Sequence, residues 1–252
     1  MLWFDKKNSS VEYLHLLLPI LPTLMDVQST MCNMSDESDM NAKLITEFIG
    51  TFFLCLTICV AGVFGLSGQN APFAIAGTLM VMIYAGAHIS GAHYNPAVTI
   101  SIWIRGACGK SEVVPYAISQ LAAGLLAALI AANLIVTGGI SEDYPIEIFE
   151  PSGKEISIIV SELLFTFALV FVILNVATSE SNEGNGYYGA AIALVVLAGA
   201  LTVGSISLAS FNPAVSLSLV VIGKMAAADI WLHLVPQLFG AGAATLVFKW
   251  NI

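Results

Sequence analysis

Two copies of one tripeptide, Asn95-Pro96-Ala97 and Asn212-Pro213-Ala214, are the residues whose type and spacing point most directly to chemistry. That chemistry is hydrogen bonding rather than bond making. An Asn side chain offers two N–H donors and one carbonyl acceptor, so two brought together can hold and orient a small polar molecule. Two carboxylates, Glu47 and Glu162, lie inside apolar sequence, 48 residues before the first Asn and 50 before the second. Gln120 and Gln237 each follow their Asn by 25 residues, and His88 and His93 flank the broken stretch that leads into the first copy. Carboxylates in such surroundings are by default parts of a pathway or relay. The structural alternative is that each accepts hydrogen bonds from irregular backbone in its own half. The two Gln are expected to satisfy backbone groups, and the His rings to pack or to lend ring nitrogens.

The elements that must position these groups follow from composition. The 252 residues are 58% hydrophobic and 10% charged, against about 25% charged in soluble domains. Six apolar runs, near 44–66, 73–89, 113–136, 156–178, 188–204 and 228–248, approach or reach the length that crosses a bilayer. They are continuous rather than alternating, which argues against a β-barrel. The expected fold is an all-α membrane protein of six spans. The net charge of −9 gathers in connectors and the N-terminal segment and indicates no nucleic-acid partner. Cys32, Cys55, Cys59 and Cys108 have no metal-site context, so neither disulfide nor zinc is expected. No cofactor is expected, and the spans contain no Ser/His, paired-Asp or metal motif of an enzyme.

The three landmarks, Glu, Asn-Pro-Ala and Gln, recur in one order and at nearly equal spacing, so the chain reads as two homologous halves. Repeat 1 covers about 43–136 and repeat 2 about 156–248, preceded by a disordered or interfacial tail (1–42) and followed by a short tail (249–252). Each half has three spans, so the halves enter the membrane from opposite faces as an inverted repeat. Ten helical residues after Asn95 rise about 15 Å, half of a hydrocarbon core about 30 Å thick. Two such half-helices meeting head-on make one composite span, with Pro at the first turn and Asn as N-cap. The backbone feeding them, 87–94 and 204–211, is rich in Gly, Ser and His. Such backbone survives at membrane depth only when buried in protein or lining water. Two helix N-termini, each about half a positive charge, then repel a cation at the midplane and leave a neutral molecule unaffected.

The segments SGAHYNPAV and ASFNPAV, with the Glu-led first and fourth spans, resemble the aquaporin (major intrinsic protein) family over residues 43–248. The resemblance implies a passive channel for water or small neutral solutes, assembled as a homotetramer in the membrane lipid. It also implies a second constriction formed by Ile75, Ala200, Ala209 and Val215. Most members have Arg where this chain has Val215, and water-selective members usually have an aromatic residue or His among these positions. The constriction is therefore expected to be apolar, wide and without a fixed cation, which admits glycerol, urea, hydrogen peroxide or an uncharged metalloid hydroxide. An ion- or proton-coupled secondary transporter also uses inverted repeats, broken helices and buried carboxylates, and stays open here. With the N-terminus inside, Lys6, Lys7, Lys43, Arg105, Lys110 and Lys249 are cytoplasmic, and Lys154 and Lys224 are not. This bias puts both termini in the cytoplasm of a plasma-membrane protein.

Overall fold

The computed structural model describes residues 21–137 and 139–251. The chain divides into Met1–Ala42 and Lys43–Ile252, and every functional residue discussed below belongs to the second unit. Eight helices carry the architecture: α1 (Leu21–Thr57, extended by a π-helical turn Ile58–Val63), α2 (Ala71–Ser90), α3 (Pro96–Arg105), α4 (Lys110–Ile130, with a π-helical turn Ala131–Ile135), α5 (Glu155–Thr178), α6 (Tyr188–Ser207), α7 (Pro213–Val221) and α8 (Trp231–Trp250). Among the described residues there is no strand, only an isolated bridge between Phe149 and Met225. Among the described residues six segments are long and apolar enough to cross a membrane: Asp39–Val63, Gly68–Ser90, Lys110–Ile135, Glu155–Thr178, Tyr188–Ser207 and Ala227–Trp250.

Boundaries differ from the sequence expectation mainly in the first span. Helix begins at Leu21, inside the segment expected to be a tail, and residues 1–20 of that tail lie outside the described residues. The same span closes at Val63 rather than near residue 66, because the chain turns through Gly65 and Gly68, both at positive φ.

The short helices α3 and α7 have ten and nine residues. Each starts at a Pro whose missing N–H would have had no intrahelical partner. Their packing crosses the repeat boundary: α4 lies against α7, and α8 against α3. Contact this close needs small residues. A Cβ on Gly124 of α4 would come within 2.6 Å of the Ala214 carbonyl oxygen at the start of α7. The two halves are thereby interlocked through their half-helices.

Lys43, Arg105 and Lys249 gather at one end of this arrangement. Lys43 pairs with Glu112 at 3.0 Å, Lys249 donates to the Ile104 carbonyl at 3.0 Å, and Arg105 donates to the Thr178 carbonyl at 3.3 Å. Lys224 bonds the Glu147 carbonyl, beside the contact between Phe149 and the Lys224 carbonyl.

Candidate functional site

Each half-helix is reached through backbone that most residues avoid. Ala92 and Tyr94 have φ of 51° and 49°, and Leu208, Ala209 and Phe211 have 65°, 48° and 46°. A non-glycine residue in this region costs roughly 1–2 kcal/mol, so something must hold the two loops.

Glu47 holds the first. Its Oε1 accepts from Ser90 Oγ (2.7 Å) and the His93 N–H (2.9 Å), and its Oε2 from the Tyr94 N–H (2.7 Å) and Gln120 Nε2 (2.8 Å). Glu162 holds the second. Its Oε1 accepts from Ser207 Oγ (2.7 Å) and the Ser210 N–H (3.1 Å), and its Oε2 from Ser210 Oγ (3.0 Å), the Phe211 N–H (2.9 Å) and Gln237 Nε2 (2.9 Å). Both carboxylates are fully buried, and neither lines the cavity described below. Gln120 reaches on to Thr99 Oγ1 (3.0 Å), and Gln237 to Ser216 Oγ (3.0 Å), so each amide ties its carboxylate to the first turn of its half-helix.

The two Asn side chains join the loops. Asn95 Oδ1 accepts from the Ala97 N–H (2.9 Å) and Asn212 Oδ1 from the Ala214 N–H (2.9 Å), which caps both helices. One amide proton of each crosses to the other half. Asn95 Nδ2 donates to the Phe211 carbonyl at 2.9 Å, and Asn212 Nδ2 to the Tyr94 carbonyl at 2.8 Å. The half-helices therefore meet N-terminus to N-terminus, and each Asn keeps a second amide proton.

Asn95 and Asn212 line one cavity of about 680 Å³. Ile75, Ala200, Ala209 and Val215 line the same cavity, as do Ser179, Glu180 and residues 182–185 of the segment between α5 and α6. His93 lines it too, with Nδ1 3.2 Å from Thr99 Oγ1. Leu54, Ile83, Ile102, Ile173 and Ile192 supply much of the rest of the wall. A molecule inside meets apolar side chains over much of the wall, with polar groups at the Asn pair and along the segment between α5 and α6.

His88 departs from the expectation. It is exposed in the last turn of α2, outside the cavity wall, and has no hydrogen bond among the described residues. The supporting groups that sequence reasoning missed lie one helical turn before each Gln. Tyr116 Oη donates to the Ser90 carbonyl (2.9 Å) and His233 Nε2 to the Ser207 carbonyl (2.8 Å). Aligning the halves on Gln120 and Gln237 exposes that match, but Tyr and His share no obvious likeness. Besides its bond to Thr178, Arg105 lies over the Phe248 ring at 5.3 Å.

Six spans, two opposed half-helices and one shared lumen define a membrane channel built as an inverted repeat. Comparison with known proteins agrees. The family model described as major intrinsic protein matches residues 34–248, and the chain belongs to that family. It is 36% identical over 219 residues to "Aquaporin NIP1-1" of Arabidopsis thaliana, covering 82% of this chain and 72% of the relative. The protein of the same name from Oryza sativa subsp. japonica is 35% identical over 214 residues (82% and 73%). "Aquaporin Z" of Photorhabdus laumondii is 32% identical over 215 residues (79% and 92%). Among solved structures, the aquaglyceroporin of Plasmodium falciparum superposes with a TM-score of 0.72 at 24% identity, covering 83% of this chain and 96% of that one, and so shares the fold. The chain is a passive channel for water or small solutes.

Proposed function

We propose that this channel passes small neutral solutes of the size of glycerol or urea at least as readily as water. The observation that supports it is the wall at Ile75, Ala200, Ala209 and Val215: four apolar side chains on one lumen, with no guanidinium among them. Such a station offers permeants no donors and leaves room beside two Ala methyls. It therefore discriminates weakly against larger uncharged molecules.

The Asn pair and the two half-helix N-termini are the ion barrier in this proposal. Their partial positive charges oppose cations, and the two Asn donors orient a passing water so that it cannot relay protons. Glu47, Glu162, Gln120 and Gln237 act on the loops and not on the permeant. The working form is a homotetramer in the plasma membrane with both termini cytoplasmic, in keeping with the clustering of Lys43, Arg105 and Lys249 at one end.

Stopped-flow light scattering on proteoliposomes tests the proposal by comparing water, glycerol and urea. Glycerol and urea flux well above that of empty vesicles is expected. Fast water flux without solute flux would defeat it. Val215→Arg is expected to lower glycerol flux by about tenfold, the effect of roughly 1.4 kcal/mol on a barrier. An unchanged rate would remove Val215 from the constriction.

A further inference from the structure

Counted from the asparagines, Ile75 stands 20 positions before Asn95, and Ala200, Ala209 and Val215 stand 12 before, three before and three after Asn212. An inverted repeat exchanges the two Asn. The same counting from the opposite Asn therefore marks a second set: Ile192, Ile83, Ala92 and Val98. The register holds without a gap, because α2 and α6 each have 20 residues and each ends five residues before its Asn. All four residues of the second set line the lumen.

Packing puts this second set at one level of its own. α2 and α6 lie against each other and run in opposite directions, since they lead into half-helices that meet head-on. Tyr84, next to Ile83, accepts from the Ala190 N–H at 3.2 Å, and its ring lies 5.2 Å from that of Tyr188. Ile83 is thus level with the first turns of α6, where Ile192 stands. Eight residues along each helix, a distance of about 12 Å, bring Ile75 and Ala200 level with each other. Val98 and Val215 lie in the first turns of α3 and α7, which diverge from the Asn pair. One set therefore stands on each side of that pair.

The two sets differ at one position. Ile192 repeats Ile75, Ala92 repeats Ala209, and Val98 repeats Val215, but Ile83 puts a sec-butyl side chain where the first set has the Ala200 methyl. Burial follows the same difference. Ile83 is 3% and Ile192 7% exposed, whereas Ile75 and Ala200 are half-buried.

We propose that Ile83, with Ile192, Ala92 and Val98, forms a second selectivity station in series with the first, and that Ile83 sets the largest solute the channel passes, an inference that rests on the wide first station proposed above. Two barriers in series add their resistances, so the tighter one governs flux. The first station, with Ala at the matching position, is the looser of the two.

The experiment is stopped-flow flux of glycerol and of the longer polyol ribitol through proteoliposomes. Water flux above that of empty vesicles identifies the variants that fold. Ile83→Ala gives both stations the same four residue types and is expected to raise ribitol flux at least about threefold. Ala200→Ile copies the second station into the first and is expected to lower glycerol flux about twofold, the effect of doubling a resistance already present. Should Ile83→Ala fold poorly, Ile83→Val is expected to give a smaller gain in ribitol flux. Unchanged ribitol flux in a water-conducting Ile83 variant would overturn the second station. A loss of glycerol flux of about tenfold in Ala200→Ile would overturn it too, because the tightest point would then lie at the first station. A parent chain that passes water but not glycerol would defeat the proposed function by itself. A gain of glycerol flux in Ile83→Ala would then still uphold the second station, and no gain would overturn it.

Discussion

The loop before α3 and the loop before α7 reach the same backbone path with different side chains. Ser90 and Ser207 match, as do Thr99 and Ser216, and Gln120 and Gln237. Tyr94 stands opposite Phe211, His93 opposite Ser210, and Tyr116 opposite His233. His93 and Ser210 both line the lumen, and each bonds the matching hydroxyl of its half-helix, His93 Nδ1 to Thr99 Oγ1 at 3.2 Å and Ser210 Oγ to Ser216 Oγ at 2.9 Å; Ser210 Oγ alone also reaches its carboxylate, Glu162, at 3.0 Å. Tyr94 Oη donates to the Met82 carbonyl (2.9 Å), whereas Phe211 stacks on Phe165 with centroids 5.4 Å apart. A central buried carboxylate and a Gln are common to both, because backbone N–H groups in the left-handed region must have an acceptor. The surrounding groups need only fill space and supply donors, so they have diverged.

Replacing the carboxylates should break the comparison most severely. Glu162→Gln turns an amide N–H toward donors that now have no acceptor. A loss of at least about 3 kcal/mol follows if each orphaned donor costs about 1–3 kcal/mol. Glu47→Gln should cost slightly less, with four donors against five. Thermal unfolding in detergent, monitored by tryptophan fluorescence, ranks the two. Equal or negligible shifts would contradict the role given to these groups.

Glycine slots come next. A methyl on Gly50 would overlap the Tyr94 ring, one on Gly86 the Tyr94 hydroxyl, and one on Gly199 the Phe211 ring. Gly50→Ala and Gly199→Ala should each destabilise by about 1–3 kcal/mol through overpacking. Both should also disturb the loop carbonyl that accepts from the opposite Asn, so lower solute flux is expected along with a lower melting temperature.

The gentlest change sharpens the comparison instead of breaking it. Tyr94→Phe makes the first loop resemble the second and removes one hydrogen bond to the Met82 carbonyl, an expected cost of about 1 kcal/mol. Solute flux should be unchanged. A larger loss would mean that the hydroxyl positions the loop and not merely α2.

Much of this protein was written locally. Six apolar runs had to become helices, since only intrasegment hydrogen bonds satisfy backbone in lipid. Pro96 and Pro213, each behind an Asn, marked the starts of α3 and α7, because Pro suits a first turn and Asn caps it. The spacing of Glu47, Asn95 and Gln120 against Glu162, Asn212 and Gln237 disclosed the repeat. Folding in three dimensions decided which polar groups meet. Nothing in the type or spacing of Tyr116 and His233 announces that they serve matching carbonyls, and His88 looks as eligible as His93 until the end of α2 turns it outward. The crossed bonds from Asn95 to Phe211 and from Asn212 to Tyr94 link residues more than a hundred positions apart. Their geometry comes from how α4 and α7, and α3 and α8, interlock, a property of packing that no single segment contains.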